Sequence, residues 1–322
     1  MRDLSVVLVN FRCEAHTLAA VDHLERTLTA PPLATVVVDN SPAGDLGAAL
    51  ERRHGGVRYL PMASNVGFAA AANTGVAATS TPDLLLLNPD ARPLPGCVEG
   101  LVAQLREGSG VAAAGPVLLP MDDRRPRQPS ATAVDPGIAT ALVEYTAAHR
   151  LVGRRWLSRH YFLSPDGEPG AGAVECAMVQ GACLALRRDA FDEVGGFDSE
   201  RFFLYWEETD LERRLRRAGW RVVYCRELGC RHLGGASLGP GRTLHEGHFW
   251  RGFYAYHRKH GGLARELLLR LLLVPGIAAE LGLLLLASAL RRRPDLRLDD
   301  DLASCRRRLR LQLPGAGGAG AG

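Results

Sequence analysis

The stretch Asp83-Leu84-Leu85-Leu86-Leu87-Asn88-Pro89-Asp90 decides the fold. Four consecutive leucines are apolar on both faces of an extended chain, which suits a strand buried in a parallel sheet and covered on two sides. So dry a strand has no place for a carboxylate in its interior, and Asp90 belongs past its end. In an open α/β sheet the carboxyl ends of the strands are where ligands bind. Pro89 fixes its own φ and pushes Asn88 toward an extended backbone, so Asp90 leaves the strand on a stiff turn. A carboxylate held there suits a hard divalent cation, and it equally suits an ordinary turn.

Working outward, Leu4 to Asn10 reads as a first strand, followed by a helix from about Glu14 to Leu28. Ala34 to Asp39 supplies a β-branched second strand ending in Asp39-Asn40-Ser41, again a carboxylate at a strand end. Two roles stay open for Asp39: capping a helix over about Asp45 to Arg53, or accepting hydrogen bonds from a base or ribose. Val57 to Leu60 is a short third strand, and Asn65-Val66-Gly67-Phe68 then leads into a small-residue helix over Ala69 to Ala78. Gly67 permits close approach of a ligand, and the helix start offers N–H groups to an anion. Close packing of the alanines on the sheet explains the same composition. The pattern is neither GxGxxG nor a Walker loop.

Beyond Asp90 a helix is expected from Pro95 to about Arg106 and a strand over Val111 to Leu118. Residues 122–172 change character and read as a variable excursion near the second substrate, with a helix around Ile138 to Val152. Strand returns over Val174 to Leu186, interrupted at Gly181. Gly195-Gly196-Phe197-Asp198 turns the chain toward Glu207-Glu208-Thr209-Asp210. Thr209 with Glu212 has the form of a capping box, so a helix is expected to start at Thr209 and stop at Gly219. That register leaves Glu207 and Glu208 ahead of the helix and Asp210 in its first turn, where the helix dipole favours its charge and weakens it as a base. Glu208 is then free to act as a general base, with Glu207 turned away toward the arginines or the backbone. Trp220 to Tyr224 is a further strand. Beyond it His232, followed by Leu233-Gly234-Gly235-Ala236-Ser237, offers a nitrogen ligand to the same cation as Asp90.

Composition bounds the remainder. The chain has 322 residues, 47% of them hydrophobic and 23% charged, which suits a folded globular protein. A net charge of +4 is well short of a nucleic-acid binder's asymmetry, so no nucleic-acid partner is expected. The seven cysteines are scattered without a CxxC pair, which points to reduced thiols in the cytosol. Met1-Arg2-Asp3 runs straight into the first strand, too short a lead for a signal core.

Five ordered motifs carry a resemblance: Val37-Val38-Asp39-Asn40-Ser41, Asn65-Val66-Gly67-Phe68-Ala69, Leu87-Asn88-Pro89-Asp90, GGFDSERFFLYWEETD over 195–210, and HLGGAS over 232–237. Together they resemble a family 2 glycosyltransferase of the GT-A fold, in the bacterial rhamnosyltransferase-like branch that builds cell-surface polysaccharides. The resemblance covers about Leu4 to Tyr256. It implies an α/β fold with a mostly parallel central sheet flanked by helices. It also implies inverting transfer of a sugar, such as rhamnose, from a dTDP- or UDP-sugar to a hydroxyl of a glycan or lipid-linked acceptor. Asp39, Asn65, Gly67 and Asn88 would bind the donor, and Asp90 and His232 would hold Mg²⁺ or Mn²⁺. The base would be the second acid of a Glu-Asp pair, which falls on Glu208. This chain has Glu207-Glu208 there, and the extra methylene keeps Asp210 open as the base. The alternative is a nucleotide-sugar-binding protein that kept the fold and lost turnover.

The expected organisation is a catalytic domain over 1–260, a hydrophobic segment over 261–293, and a basic then Gly/Ala-rich tail over 294–322 that is disordered at its end. From Leu263 to Leu290 the leucine-rich sequence is split at Glu280, which fits an interfacial helix pair on anionic lipid better than a bilayer span. A packing face for the catalytic domain or for a second copy explains it as well. The expected location is the cytoplasm, at the inner face of the membrane.

Overall fold

The computed structural model describes residues 3–41, 44–107, 110–124, 129–148, 155–163, 172–234, 242–290 and 296–312. The chain forms two units, Met1–Asp135 with Phe162–Gly239, and Pro136–Tyr161 with Pro240–Gly322. The sequence reading placed one boundary at 260 and the excursion at 122–172.

The first unit alternates as the hydrophobic pattern requires: β1 (Leu4–Asn10), α1 (Glu14–Thr27), β2 (Ala34–Asp39), α2 (Leu46–Arg53), β3 (Val57–Pro61), α3 (Phe68–Ala77) and β4 (Asp83–Leu87). A short β5 (Ala91–Pro93), α4 (Cys97–Glu107), β6 (Val111–Pro120) and β7 (Ala131–Thr132) follow. The strands β1 to β4 lie in the order β3-β2-β1-β4, all parallel. Leu84 to Leu87 of β4 are at most 3% exposed. Leu85 and Leu87 pack with Leu4, Val6 and Leu8 beneath α1, α2 and α4. Leu84 and Leu86 pack with Val7 and Val9 beneath α3 on the other face. Each such leucine contributes about 1.5–3 kcal/mol on burial.

The chain leaves this unit for α5 (Ile138–Tyr145) and α6 (Arg155–His160), which belong to the second, and returns through β8 (Ala173–Glu175), β9 (Met178–Val179) and β10 (Cys183–Arg187). The strand expected over Val174 to Leu186 does break at Gly181, with β10 after the break, and its first part is itself two pieces, β8 and β9. β10 runs antiparallel between β4 and β6. Next come α7 (Arg188–Glu193), α8 (Glu207–Arg217) and β11 (Arg221–His232). β11 is parallel to β6 and antiparallel to β5 and β8, so most strands of the sheet point one way. α3 approaches the sheet as its alanines demand: a Cβ on Gly75 would lie 2.4 Å from Val7 Cγ1.

The second unit holds α5, α6, α9 (Arg242–Leu290) and α10 (Leu296–Gln312). α9 breaks at Gly262, whose φ of 76° and ψ of 174° are not helical. Its first half packs Phe249, Trp250 and Phe253 around Tyr145 of α5, with ring centroids 5.2–5.7 Å apart. Glu280 does not split the second half, as expected from its charge, because the carboxylate turns inward to Arg308 of α10, 3.2 Å away. α10 itself lies where a basic tail was expected. The Gly/Ala stretch beyond it falls outside the described residues.

Candidate active site

Asp90 and His232 meet at the carboxyl end of the sheet. β5 begins one residue after Asp90 and pairs with the end of β11, setting His232 opposite Ala91. His232 Nε2 then lies 3.3 Å from Asp90 Oδ1, and Asp90 is 5% exposed. The turn is closed by Ala91 N–H donating to Asn88 O at 3.0 Å. The Arg92 guanidinium donates to Pro89 O at 2.7 Å and to His16 O at 3.2 Å, clamping the same turn to α1. Asn88, half-buried, donates its backbone N–H to Ala182 O at 2.9 Å.

The second acidic centre is built from the turn into α8. Tyr205 and Trp206 have φ of 68° and 74°, consecutive left-handed residues without glycine. Each costs about 1–3 kcal/mol, and such strain collects at functional sites. The twist starts α8 at Glu207, two residues before the expected cap at Thr209. The capping box does not form. Glu212 is fully buried and accepts the Val179 N–H at 3.1 Å instead.

Glu207 and Glu208 therefore occupy the first turn of α8, and Glu207 does not point away. It is 4% exposed and hydrogen-bonded to Glu208. Burial, then the neighbouring Glu208 charge, raises the Glu207 carboxyl well above the usual range. Burial raises Glu208 too, opposed by its own backbone N–H, by that of Gly181 and by the bond from Glu207. The two carboxyls are thus hydrogen-bonded to each other, and both are raised in the folded chain. Oε2 of Glu208 is buried without a protein partner, as is Oε2 of Glu207. Asp210, fully buried, pairs with Arg214 at 2.8 Å. Arg214 also donates to Val194 O at 2.6 Å and to Gly196 O at 2.7 Å, so Asp210 holds the Gly195-Gly196 turn.

Asp39 is fully buried and does not cap α2. Its Oδ1 accepts from Asn10 Nδ2 at 2.8 Å and from Ser41 N–H at 3.0 Å, and its Oδ2 accepts from Tyr59 OH at 2.7 Å. Burial, then the bond to Asp39, raises the Tyr59 phenol to about 12. Asn40 donates to Asn65 Oδ1 at 2.8 Å, and Asn65 Oδ1 accepts the Gly67 N–H at 3.1 Å. Gly67, at φ 86°, is approached by the protein itself: a Cβ there would lie 2.4 Å from Phe203 O. Phe68 N–H at the start of α3 donates to Phe203 O at 2.7 Å. The N–H groups of Gly67 and Phe68, which the sequence offers to an anion, are thus spent within the chain.

The motifs converge through these bonds. Asn65 joins Asn40, Phe68 joins Phe203, and Asn73 exchanges bonds of 2.8 and 3.0 Å with the backbone of Phe197. Gly181 holds Glu208, and its neighbour Ala182 holds Asn88. Sequence reading missed Gly181, seen only as a strand interruption, along with Arg92 and Glu212, whose signals are long-range contacts. Of the HLGGAS motif, Gly235 to Ser237 lie outside the described residues.

A divalent cation fits Asp90 and His232. Mg²⁺-type sites use one or two protein ligands and complete the shell with substrate phosphate and water. No cluster of three His, Cys, Asp or Glu donors occurs among the described residues.

A mostly parallel sheet with acidic groups gathered at its carboxyl end defines a GT-A glycosyltransferase, and the comparisons agree. The chain superposes with a TM-score of 0.55 on a Pyrobaculum calidifontis mannosyltransferase in complex with GDP-Man and Mn²⁺, at 15% identity over 97% of this chain and 84% of that one. On GalNAc-T7 with UDP, GalNAc and Mn²⁺ the score is 0.56, at 14% identity over 82% of this chain and about half (51%) of that one. In sequence it is 28% identical over 255 residues to an N-acetylglucosaminyl-diphospho-decaprenol L-rhamnosyltransferase of Mycobacterium tuberculosis, covering 72% of this chain and 78% of the relative. The chain belongs to glycosyl transferase family 2, whose model matches residues 5–195. Within the family its sequence resembles that mycobacterial rhamnosyltransferase.

Proposed function

We propose that the enzyme transfers a sugar of the rhamnose type from a nucleotide diphosphosugar to a hydroxyl of a lipid-linked glycan, with inversion and with a divalent cation. One observation carries the reading: two acidic centres of different character meet at one sheet end, Asp90 with His232, and Glu208 hydrogen-bonded to Glu207. The Ala182–Asn88 backbone bond ties them together. Glu208 Oε2 takes the proton of the acceptor hydroxyl, whose oxygen forms the new bond to the anomeric carbon. The bond from that carbon to the diphosphate breaks on the opposite side, and the diphosphate leaves with the electron pair. Asp90 and His232 would hold the cation, which supplies charge stabilisation for that diphosphate. Asp39, braced by Asn10, Ser41 and Tyr59, backs the nucleoside position, with Asn65 and Gly67 shaping the adjoining turn. The rhamnose and the lipid-linked acceptor are supported by the name of the mycobacterial relative.

The test offers dTDP-, UDP- and GDP-sugars with Mn²⁺ or Mg²⁺ and a polyprenyl-diphospho-N-acetylglucosamine acceptor, reading the product's anomeric configuration by NMR. One donor should give an inverted product, and chelation or Asp90→Asn should abolish transfer with the fold intact. Transfer indifferent to both changes would remove the cation from the mechanism, and a retained configuration would remove direct displacement.

A further inference from the structure

The second half of α9, residues 263–290, is turned inside out for a helix in water. Its outermost side chains are Leu263, Leu267, Leu271, Leu283, Leu286 and Leu290, from 47% to 75% exposed. Every other exposed residue of the segment is Leu, Ala, Gly or Pro. Its charges face its own unit. Glu266, 8% exposed, pairs with Arg270 at 3.0 Å, Glu280, 7% exposed, pairs with Arg308, and Arg265 donates to Pro136 O at 2.9 Å. Water as the surrounding solvent would select the opposite arrangement.

The width of the apolar surface names the occupant. At 3.6 residues per turn, the buried Leu269, Leu273, Ile277, Glu280 and Leu284 share a stripe of roughly 80°, while the exposed apolar positions sweep roughly 200°. A partner helix takes a stripe of about 100°, so a single protein partner would leave half the leucines in water. A fluid hydrocarbon layer covers the whole arc. The helix is long and apolar enough to cross a membrane. Its neighbour α10, however, is packed along it through Cys305 Sγ to Ile277 O at 3.4 Å and exposes Asp299, Asp300, Asp301, Arg306 and Arg310. One leucine side and one charged side make a pair that lies along the interface.

We infer that the outer face of residues 263–290 docks in the surface of a lipid bilayer, its leucines in the hydrocarbon and α10 toward water. Docking does not depend on the transfer reaction, so its test is separate. The full chain is floated on a sucrose gradient with vesicles of phosphatidylglycerol and phosphatidylcholine, and its size is measured without lipid. The wild type should float, and Leu271→Glu with Leu286→Glu should lower binding at least about tenfold with an unchanged circular dichroism spectrum. In a second variant, Leu286→Trp, brominated lipid should quench fluorescence beyond the wild-type level. A wild-type chain that stays at the bottom overturns the inference, as does a dimer that the double variant splits or a double variant that floats normally. Should the double variant fail to fold, an unquenched Leu286→Trp overturns it alone.

Discussion

Glu208 accepts the Gly181 N–H and is hydrogen-bonded to Glu207, and its Oε2 is left over; Asp210, two residues on, spends its charge on Arg214. The substitutions should therefore fail differently. Glu208→Gln should cut kcat by about 10²–10⁴-fold with donor affinity kept, and Glu208→Asp should retain substantial activity. Asp210→Asn leaves Arg214 without its charge partner and should lower the melting temperature markedly, since breaking a buried pair costs about 3–5 kcal/mol. Parallel rate and melting measurements separate the two, and a normally stable but inactive Asp210→Asn beside an active Glu208→Gln would exchange the roles. The acids themselves were legible in the sequence, as were Asp90 and His232 as partners. What each acid touches was not, because Gly181, Val179 and Arg214 reach them by the fold or along the helix.

At the scale of an element, the start of α8 shows why the sequence misplaced it. Thr209-to-Glu212 spacing satisfies a local cap, but a buried N–H on β9 and the left-handed Tyr205-Trp206 pair set the start at Glu207. Tertiary demand outweighed a contribution of about 1 kcal/mol. Gly67 is the complementary case, where a glycine expected at a ligand is required by the Phe203 backbone. Gly67→Ala combines a positive φ with a 2.4 Å clash, so it should displace the 203–208 segment and lower both stability and turnover. Melting and steady-state rates check this, and a variant with wild-type values for both would show that the turn yields freely.

At the scale of the whole molecule, the alternation of strands and helices was readable as far as β6 because each element there is local and its burial two-sided. The antiparallel placement of β10 between β4 and β6, the division between β8 and β9, and α10 were not, since their pairing is set by residues far along the chain. Burial of Glu207 and Glu212 also gives the protein a pH signature. Both carboxyls are raised in the folded state, so the stability they contribute is full below the unfolded value near 4.5 and is lost as pH rises through their folded values. The melting temperature should fall from pH 5.5 to pH 8, and Glu212→Gln, which keeps an acceptor for Val179, should flatten that slope. An unaltered slope in the variant would assign the pH response elsewhere. The division of the chain has one more consequence, in time rather than space. Tyr145 is made about 100 residues before its aromatic partners on α9, and at 5–20 residues per second the ribosome leaves it waiting roughly 5–20 s. The nascent chain thus carries an unfinished apolar segment through the synthesis of a third of its sheet, β8, β10 and β11, which makes the insertion of α5 and α6 the natural place for a chaperone to hold it.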